Sequence, residues 1–328
     1  KYANGEFMQV HPTAIPGTDK LRLMSESARG EGGRVWVPRK AQDPRDPREI
    51  PASERYYFLE ERYPTYGNLV PRDIATREIF DVCVNHGLSV EQDRLCVYLD
   101  VTELPAPTLK KLDGILEIYE KFQGVDPRQT PMKIFPAIHY SMGGIWADYI
   151  KDENTGGMVA DHPRNHQTNV PGVYAIGEAD YHYHGGNRLG ANSLLSCIFT
   201  GLFVAPCVEN YLKEQKVDPP AKLLDAAAKA EKKVGDDLAK CDGSENPRQL
   251  HAELGDIMTR NVTVVRYNQH LEETLTKIDE LDERFQNIGA PDRGAWTNQS
   301  VTFTRALADM IMMARVVARA IMIISANA

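Results

Sequence analysis

The chain has 328 residues, 42% hydrophobic and 26% charged, a length that suits about two domains with a sizeable core. Its net charge of −8 is made of interspersed signs without a basic stripe, which excludes nucleic acid as an expected partner. Cys83, Cys96, Cys197, Cys207 and Cys241 are odd in number and include no C-x-x-C pair, which excludes a disulfide framework and a cysteine zinc site and favours a reducing compartment.

Lys1 opens the chain without a signal or transit pattern, and "QVHPTAIPG" follows at 9–17. Residues 1 to about 35 mix short apolar runs with Gly and Pro and end in "SESARGEGGRVW", a strand–turn–strand pattern. Residues 37–56, with a proline every few positions, are expected to be an exposed loop without packed secondary structure. A helix is predicted to start at Pro71-Arg72-Asp73, with Asp73 near the positive end of its dipole. Leu109, Leu112, Leu116 and Tyr119 repeat at helical spacing after Pro107-Thr108.

From Lys133 the texture changes to "KIFPAIHYSMGGIWAD", the return of an α/β layer. Val173-Tyr174-Ala175-Ile176, bounded by Pro171-Gly172 and Gly177, predicts a strand buried on both faces of a parallel sheet, with Glu178 at its carboxyl end. Ligands of open α/β sheets bind outside such ends, where a carboxylate accepts hydrogen bonds from sugar or ribityl hydroxyls. Gly185, Gly186 and Gly190 let backbone approach a flat or phosphorylated ligand, and Asn192-Ser193-Leu194 predict the opening of a helix.

Beyond about residue 210, Leu250, Leu254, Ile257 and Met258, then Leu271, Leu275, Ile278 and Phe285, keep the spacing of an amphipathic helical bundle. Ala221–Val234 is expected to be a solvated helix face. The most apolar segment, near the C-terminus, is broken by Arg305, Asp309, Arg315 and Arg319, so no transmembrane segment is expected. The final "IMIISANA" stops inside an apolar helical pattern, and the two ends together suggest an internal piece of a longer protein.

Five polar groupings could carry chemistry: His11-Pro12-Thr13, Ser25 to Arg29, Arg72-Asp73, His139-Tyr140 and Arg188. His11 and His139 lie far apart without a carboxylate at ligand spacing, so no metal site is expected there. No G-x-S-x-G elbow marks a hydrolase. An excess of histidine, hydroxyl and arginine donors beside a cofactor-binding pattern suits a small dianion, because arginine forks bind carboxylates bidentately and two donor sets fix both ends of a dicarboxylate.

In order, "HPTAIPG", "SARGEGG", "PRDIATREIF", "HYSMGGI", "VPGVYAIGEAD" and "HGGNRLGANSLL" resemble the flavoprotein subunit of succinate dehydrogenase and fumarate reductase over nearly the whole chain. The fold class implied is α/β plus α. Residues 1–135 would be an α+β capping domain, 136–208 the returning part of an FAD-binding α/β domain, and 209–328 a truncated helical domain. The resemblance implies that Arg72 shuttles a proton while hydride moves between substrate and FAD N5, with Glu26 and Arg29 as its relay. A free guanidinium is a poor acid, so this role needs surroundings that ease proton loss, such as a helix N-terminus.

His11, Ser25, His139 and Arg188 match the residues that bind the substrate carboxylates; the family often has Thr where Ser25 stands. Glu178 matches an acid that binds an FAD hydroxyl, and Ser193 and Leu194 match contacts near the isoalloxazine. An iron-sulfur subunit, a membrane-anchor subunit reached through it, and a peripheral position on the cytoplasmic face of a bacterial inner membrane are also implied. The family's G-x-G-x-x-G fingerprint and its flavin-carrying histidine are not found in these residues, so one of the two halves that hold FAD is represented. The loop between Arg29 and Arg72 is also longer than in many members. L-aspartate oxidase, with similar "HPTA" and "RGEG" motifs, and a non-catalytic interaction module are the competing readings.

Overall fold

The computed structural model describes residues 1–17, 22–92, 94–215, 221–290, 292, 294 and 296–326. The end of the C-terminal "IMIISANA" run, residues 327–328, lies outside them, as do residues 18–21 of the first strand–turn–strand pattern. The chain divides into two compact units, one of Gln9–His139 and the other of Lys1–Met8 with Tyr140–Ala328.

A six-stranded sheet is ordered Arg22–Leu23, Met8–Ile15, Met132–Ser141, Val97–Asp100, Arg34–Pro38 and Arg55–Tyr56. Its pairings are antiparallel at Ala14↔Leu23, Val97↔Ile134, Val35↔Leu99 and Val37↔Tyr56. The core of Gln9–His139 joins Val35, Val37, Leu99 and Ile134 from this sheet to Leu112, Leu116 and Tyr119 of the helix Ala106–Gln123. Those helix positions make one apolar stripe, and complete burial of Leu116 contributes roughly 1.5–3 kcal/mol. The helix starts after Pro105 and ends at Gly124, whose φ of 67° suits glycine and whose N–H donates to Glu120 O.

Two expectations in this unit need correction. A helical turn, Ser27–Gly30, stands within the predicted strand–turn–strand. The proline-rich stretch 37–56 is also not a free loop. Arg55–Tyr56 pairs with Val37–Pro38, and Ile50 is buried in a cluster with Trp36, Tyr57 and Tyr98. Arg45 bridges Asp43 and Glu54, and it holds the Asp43 carboxyl down to about 2. Local charge pairs and one isoleucine anchor order a segment that composition alone marks as loop.

In the other unit, Val173–Ile176 does not form the predicted buried parallel strand. Tyr174 makes an isolated antiparallel bridge to Gln167, while Val173 and Ile176 are exposed. A strand needs ladder partners along its length, and this segment has a single bridge. The predicted helix is present as Asn192–Glu214, buried along Ser196, Thr200, Val204 and Cys207.

That helix also corrects the expectation about membrane-spanning length. Among the described residues it alone is long and apolar enough to cross a bilayer by length and composition. Its charged residues, Glu209, Lys213 and Glu214, all fall near its end. Core helices of globular proteins meet the same two criteria.

The helices Pro247–Val262, Asn268–Phe285 and Gln299–Ala326 share a core of Leu250, Leu254, Ile278, Leu281, Leu307 and Ile311; the spacing predicted the first three, while the predicted Leu271 packs in a second cluster with Val262, Val317 and Ile321. Asn246 caps the first of them by accepting from the Arg248 N–H at 2.9 Å. The helix Ala221–Ala239 has no buried residue, in line with a solvated face.

Candidate functional site

Within Gln9–His139, backbone geometry brings Glu26 and Arg29 together. After the turn Ser27–Gly30 the chain reverses through Gly32, at φ +108°, and Gly33, whose N–H donates to Ala28 O at 2.9 Å. A Cβ on Gly33 would stand 2.4 Å from that carbonyl oxygen, which explains the glycine pair in "RGEGG". The reversal buries Arg29, whose guanidinium donates to Asn68 O, Val70 O and Glu26 Oε2, each at 2.7 Å.

Glu26 is the hub. Its second oxygen, Oε1, is buried and takes no hydrogen bond, yet it lies 3.7 Å from His11 Nε2 and 3.9 Å from Arg72 Nε. Arg72 occupies the first position of the helix Arg72–Phe80, behind Pro71, and its Nη1 is buried without a hydrogen-bond partner. His11 Nδ1 accepts from the Thr13 N–H at 3.3 Å, which places the ring proton on Nε2, facing Glu26. The Thr13 hydroxyl donates to Met24 O. His139 meets His11 edge to face with centroids 5.2 Å apart, and the Ser25 hydroxyl donates to Ser27 Oγ. Six of the ten sequence-predicted residues therefore lie in this unit, and three of them, His11, Arg29 and Arg72, converge on the carboxylate of a fourth, Glu26.

The other four, Glu178, Arg188, Ser193 and Leu194, belong to the second unit. Glu178 is exposed and accepts from the Ser141 N–H at 3.0 Å, leaving its other oxygen for a ligand hydroxyl. Gly177, at φ +63°, donates to the Thr200 hydroxyl and turns the chain toward it. Gly143 and Gly144 carry the preceding turn because a Cβ on either would lie 2.0 Å from Asn4 O or 2.5 Å from Ala179 O.

Arg188 is buried. Its guanidinium carbon sits 4.7 Å above the Tyr140 ring, and its backbone N–H donates to Met142 Sδ. Tyr140 OH lies 3.3 Å from His184 Nε2, which lies 3.3 Å from Ser196 Oγ. Burial pushes the Tyr140 phenol up, and burial followed by the Arg188 charge pushes the His184 imidazole down. His184 had not been singled out; its position directly before Gly185-Gly186 in "HYHGG" was the available signal.

The residues fit one side of a flavin. Added Cβ atoms at Gly185 and Gly190 would meet nothing within 4 Å, so the backbone there is open to a ligand. No side chain caps the helix that begins at Asn192, and its first N–H groups suit a polar ligand edge. Leu194 and Leu195 are 72% and 62% exposed, an apolar face for a flat ring.

Comparison with known proteins agrees with that fit. The FAD binding domain family matches residues 1–194, and the fumarate reductase flavoprotein C-terminal family matches 251–322. The chain belongs to the succinate dehydrogenase and fumarate reductase flavoprotein family. FAD is the cofactor of this family.

The succinate dehydrogenase flavoprotein subunit of Bacillus subtilis is 52% identical over 96% of this chain and 50% of its own length. The fumarate reductase flavoprotein subunit of Escherichia coli is 30% identical over 97% of this chain and 49% of its own. A solved E. coli quinol fumarate reductase superimposes with a TM-score of 0.77 at 28% identity, covering 97% of this chain and 51% of that one. The chain thus spans about half the length of the relatives it matches. Family and structure agree on the α/β plus α class, in which the flavoprotein resemblance of the motifs is confirmed.

Proposed function

We propose that the chain carries the dicarboxylate chemistry of a flavoprotein that interconverts succinate and fumarate. The observation that carries this reading is the Glu26 hub, with a buried Arg72 Nη1 lacking a partner on one side and the buried Arg29 clamping the other carboxylate oxygen. Bound FAD would supply hydride transfer at N5, held by Glu178 and by contacts from Ser193 and Leu194. Arg72 gives or takes the proton at the neighbouring substrate carbon, and its buried Nη1 supports that role because an unpaired donor is costly until a ligand meets it.

Glu26 Oε1 passes the proton to or from Arg72, and Arg29, anchored on Asn68 O and Val70 O, keeps Glu26 oriented through one hydrogen bond to Oε2. His11, Ser25, His139 and Arg188 bind the substrate carboxylates, with Arg188 stacked on the Tyr140 ring. Residues 1–135, 136–208 and 209–328 act as capping, FAD-binding and helical domains. Electrons leave through an iron-sulfur subunit to a quinone at a membrane-anchor subunit, which makes the protein peripheral on the cytoplasmic face of a bacterial inner membrane.

The test is turnover of the protein isolated with its flavin, assayed with succinate, fumarate and L-aspartate. Succinate oxidation that saturates and is competed by malonate is expected. Exclusive oxidation of L-aspartate would overturn the reading.

A further inference from the structure

His166, Asp180 and His182 lie in the unit that contains Tyr140–Ala328, close in sequence to Glu178 and His184 but distinct from the residues proposed to hold flavin or substrate. Each offers one ligand atom, and these atoms all lie within 4.8 Å of one another. Asp180 Oδ2 stands 3.4 Å from His166 Nδ1, and Asp180 Oδ1 stands 3.6 Å from His182 Nδ1. Ligands at 2.0–2.1 Å from a tetrahedral zinc ion are about 3.3 Å apart, and these two gaps lie close to that spacing.

A plain His–Asp–His hydrogen-bonded triad would close the polar atoms on one another, and this one does not. Asp180 is 4% exposed and its Oδ2 accepts no hydrogen bond; both ring nitrogens of His182 are buried and make none. His166 Nε2 lies 2.7 Å from the Tyr183 hydroxyl, on a ring stacked at 14° to its own. A ligating imidazole uses such an oxygen to take its second ring proton. His166 Nδ1 lies 3.1 Å from Ala175 O, and metal binding exchanges that hydrogen bond for the ion.

The backbone is prepared as well. His166, at φ +62°, is tied by its N–H to Asp148 O and by its carbonyl to the Ala175 N–H. Asp180 Oδ1 accepts from the His182 N–H at 2.9 Å. We propose that His166, Asp180 and His182 form a binding site for one divalent zinc-type ion, which clips the Asp180–Tyr183 segment to the turn at His166. Two imidazoles and one carboxylate select a borderline ion such as Zn²⁺ over the all-oxygen sites that Mg²⁺ and Ca²⁺ prefer.

The test uses the full chain, stripped with chelator, reloaded with Zn²⁺ alone and freed of excess by gel filtration. One equivalent of zinc by mass spectrometry is expected, with a zinc-edge absorption spectrum showing two imidazoles and nitrogen or oxygen neighbours at 2.0–2.2 Å. Asp180→Asn and His182→Gln should each weaken binding at least about tenfold. His86→Gln, at an exposed histidine, should leave it unchanged. Substoichiometric zinc in the unmodified chain, or equal retention by all three variants, would overturn the site. If the two ligand variants fail to fold, the spectrum of the unmodified chain decides: fewer than two imidazoles sinks the proposal.

Discussion

Arg29 and Arg188 are both buried arginines in sequence motifs of one family, yet their surroundings differ. Arg29 donates to two backbone carbonyls and to the Glu26 carboxylate, so its charge is neutralised by the fold itself. Arg188 rests on the Tyr140 ring, with its Nη1 donating to the carbonyl of its neighbour Leu189. The contrast is between a guanidinium clamped on a carboxylate and one stacked on an aromatic ring, a distinction that residue type alone could not make.

Substitutions should break the comparison in different currencies. The largest effect is expected at Arg72, which Arg29 serves only indirectly. Arg72→Lys should lower succinate turnover by about 100- to 10,000-fold while flavin absorbance is retained, because lysine cannot present a fork at the same place. Near-normal turnover would remove Arg72 from the mechanism. Arg29→Met should be the largest loss of stability. It leaves the Glu26 carboxylate and two carbonyls without their donor, at a cost of about 3–5 kcal/mol read from denaturant unfolding. An unchanged midpoint would refute the idea that the fold neutralises this charge.

Arg188→Ala should do the opposite. Malonate and succinate affinity should fall roughly 10- to 100-fold, the range expected for one charge-assisted hydrogen bond, with a smaller change in unfolding. Equal affinity in the variant would reassign Arg188 as structural. A smaller effect, about 1–3 kcal/mol of stability, is expected for Gly33→Ala, since the new Cβ must push back the Ala28 carbonyl. That variant should also slow turnover by displacing Arg29 and Glu26 together. Loss of stability with full activity would show that the "RGEGG" turn does not position the relay.

Legibility in the sequence followed the range of the interactions. Helices at Arg72–Phe80, Ala106–Gln123 and Asn192–Glu214 were readable because Pro, Gly and apolar spacing act within a few residues. Val173–Ile176 was misread because an apolar run specifies a strand only when ladder partners exist, and those are non-local. The order in residues 37–56 was missed because it depends on Ile50 meeting Trp36 and Tyr98 across the sheet. At the candidate site the residues were named from motifs, but their division was not: Glu26 as hub, Arg29 as clamp and His184 beside Tyr140 emerge only from distances.

The finest probe of the Arg188 surroundings is acid stability. Burial, and then the Arg188 charge, place the His184 imidazole below its ordinary value of 6.5 in the folded chain. Below that value the unfolded chain takes up a proton that the folded chain refuses, so the unfolded state binds more protons. Stability therefore falls as pH drops through 6.5 and stops falling from this source once the lowered folded value is passed. His184→Gln should flatten the slope of stability against pH in this window. Arg188→Ala should flatten it only in part, because burial is the larger cause and remains. If the alanine variant keeps the full slope, the Arg188 charge does not reach His184.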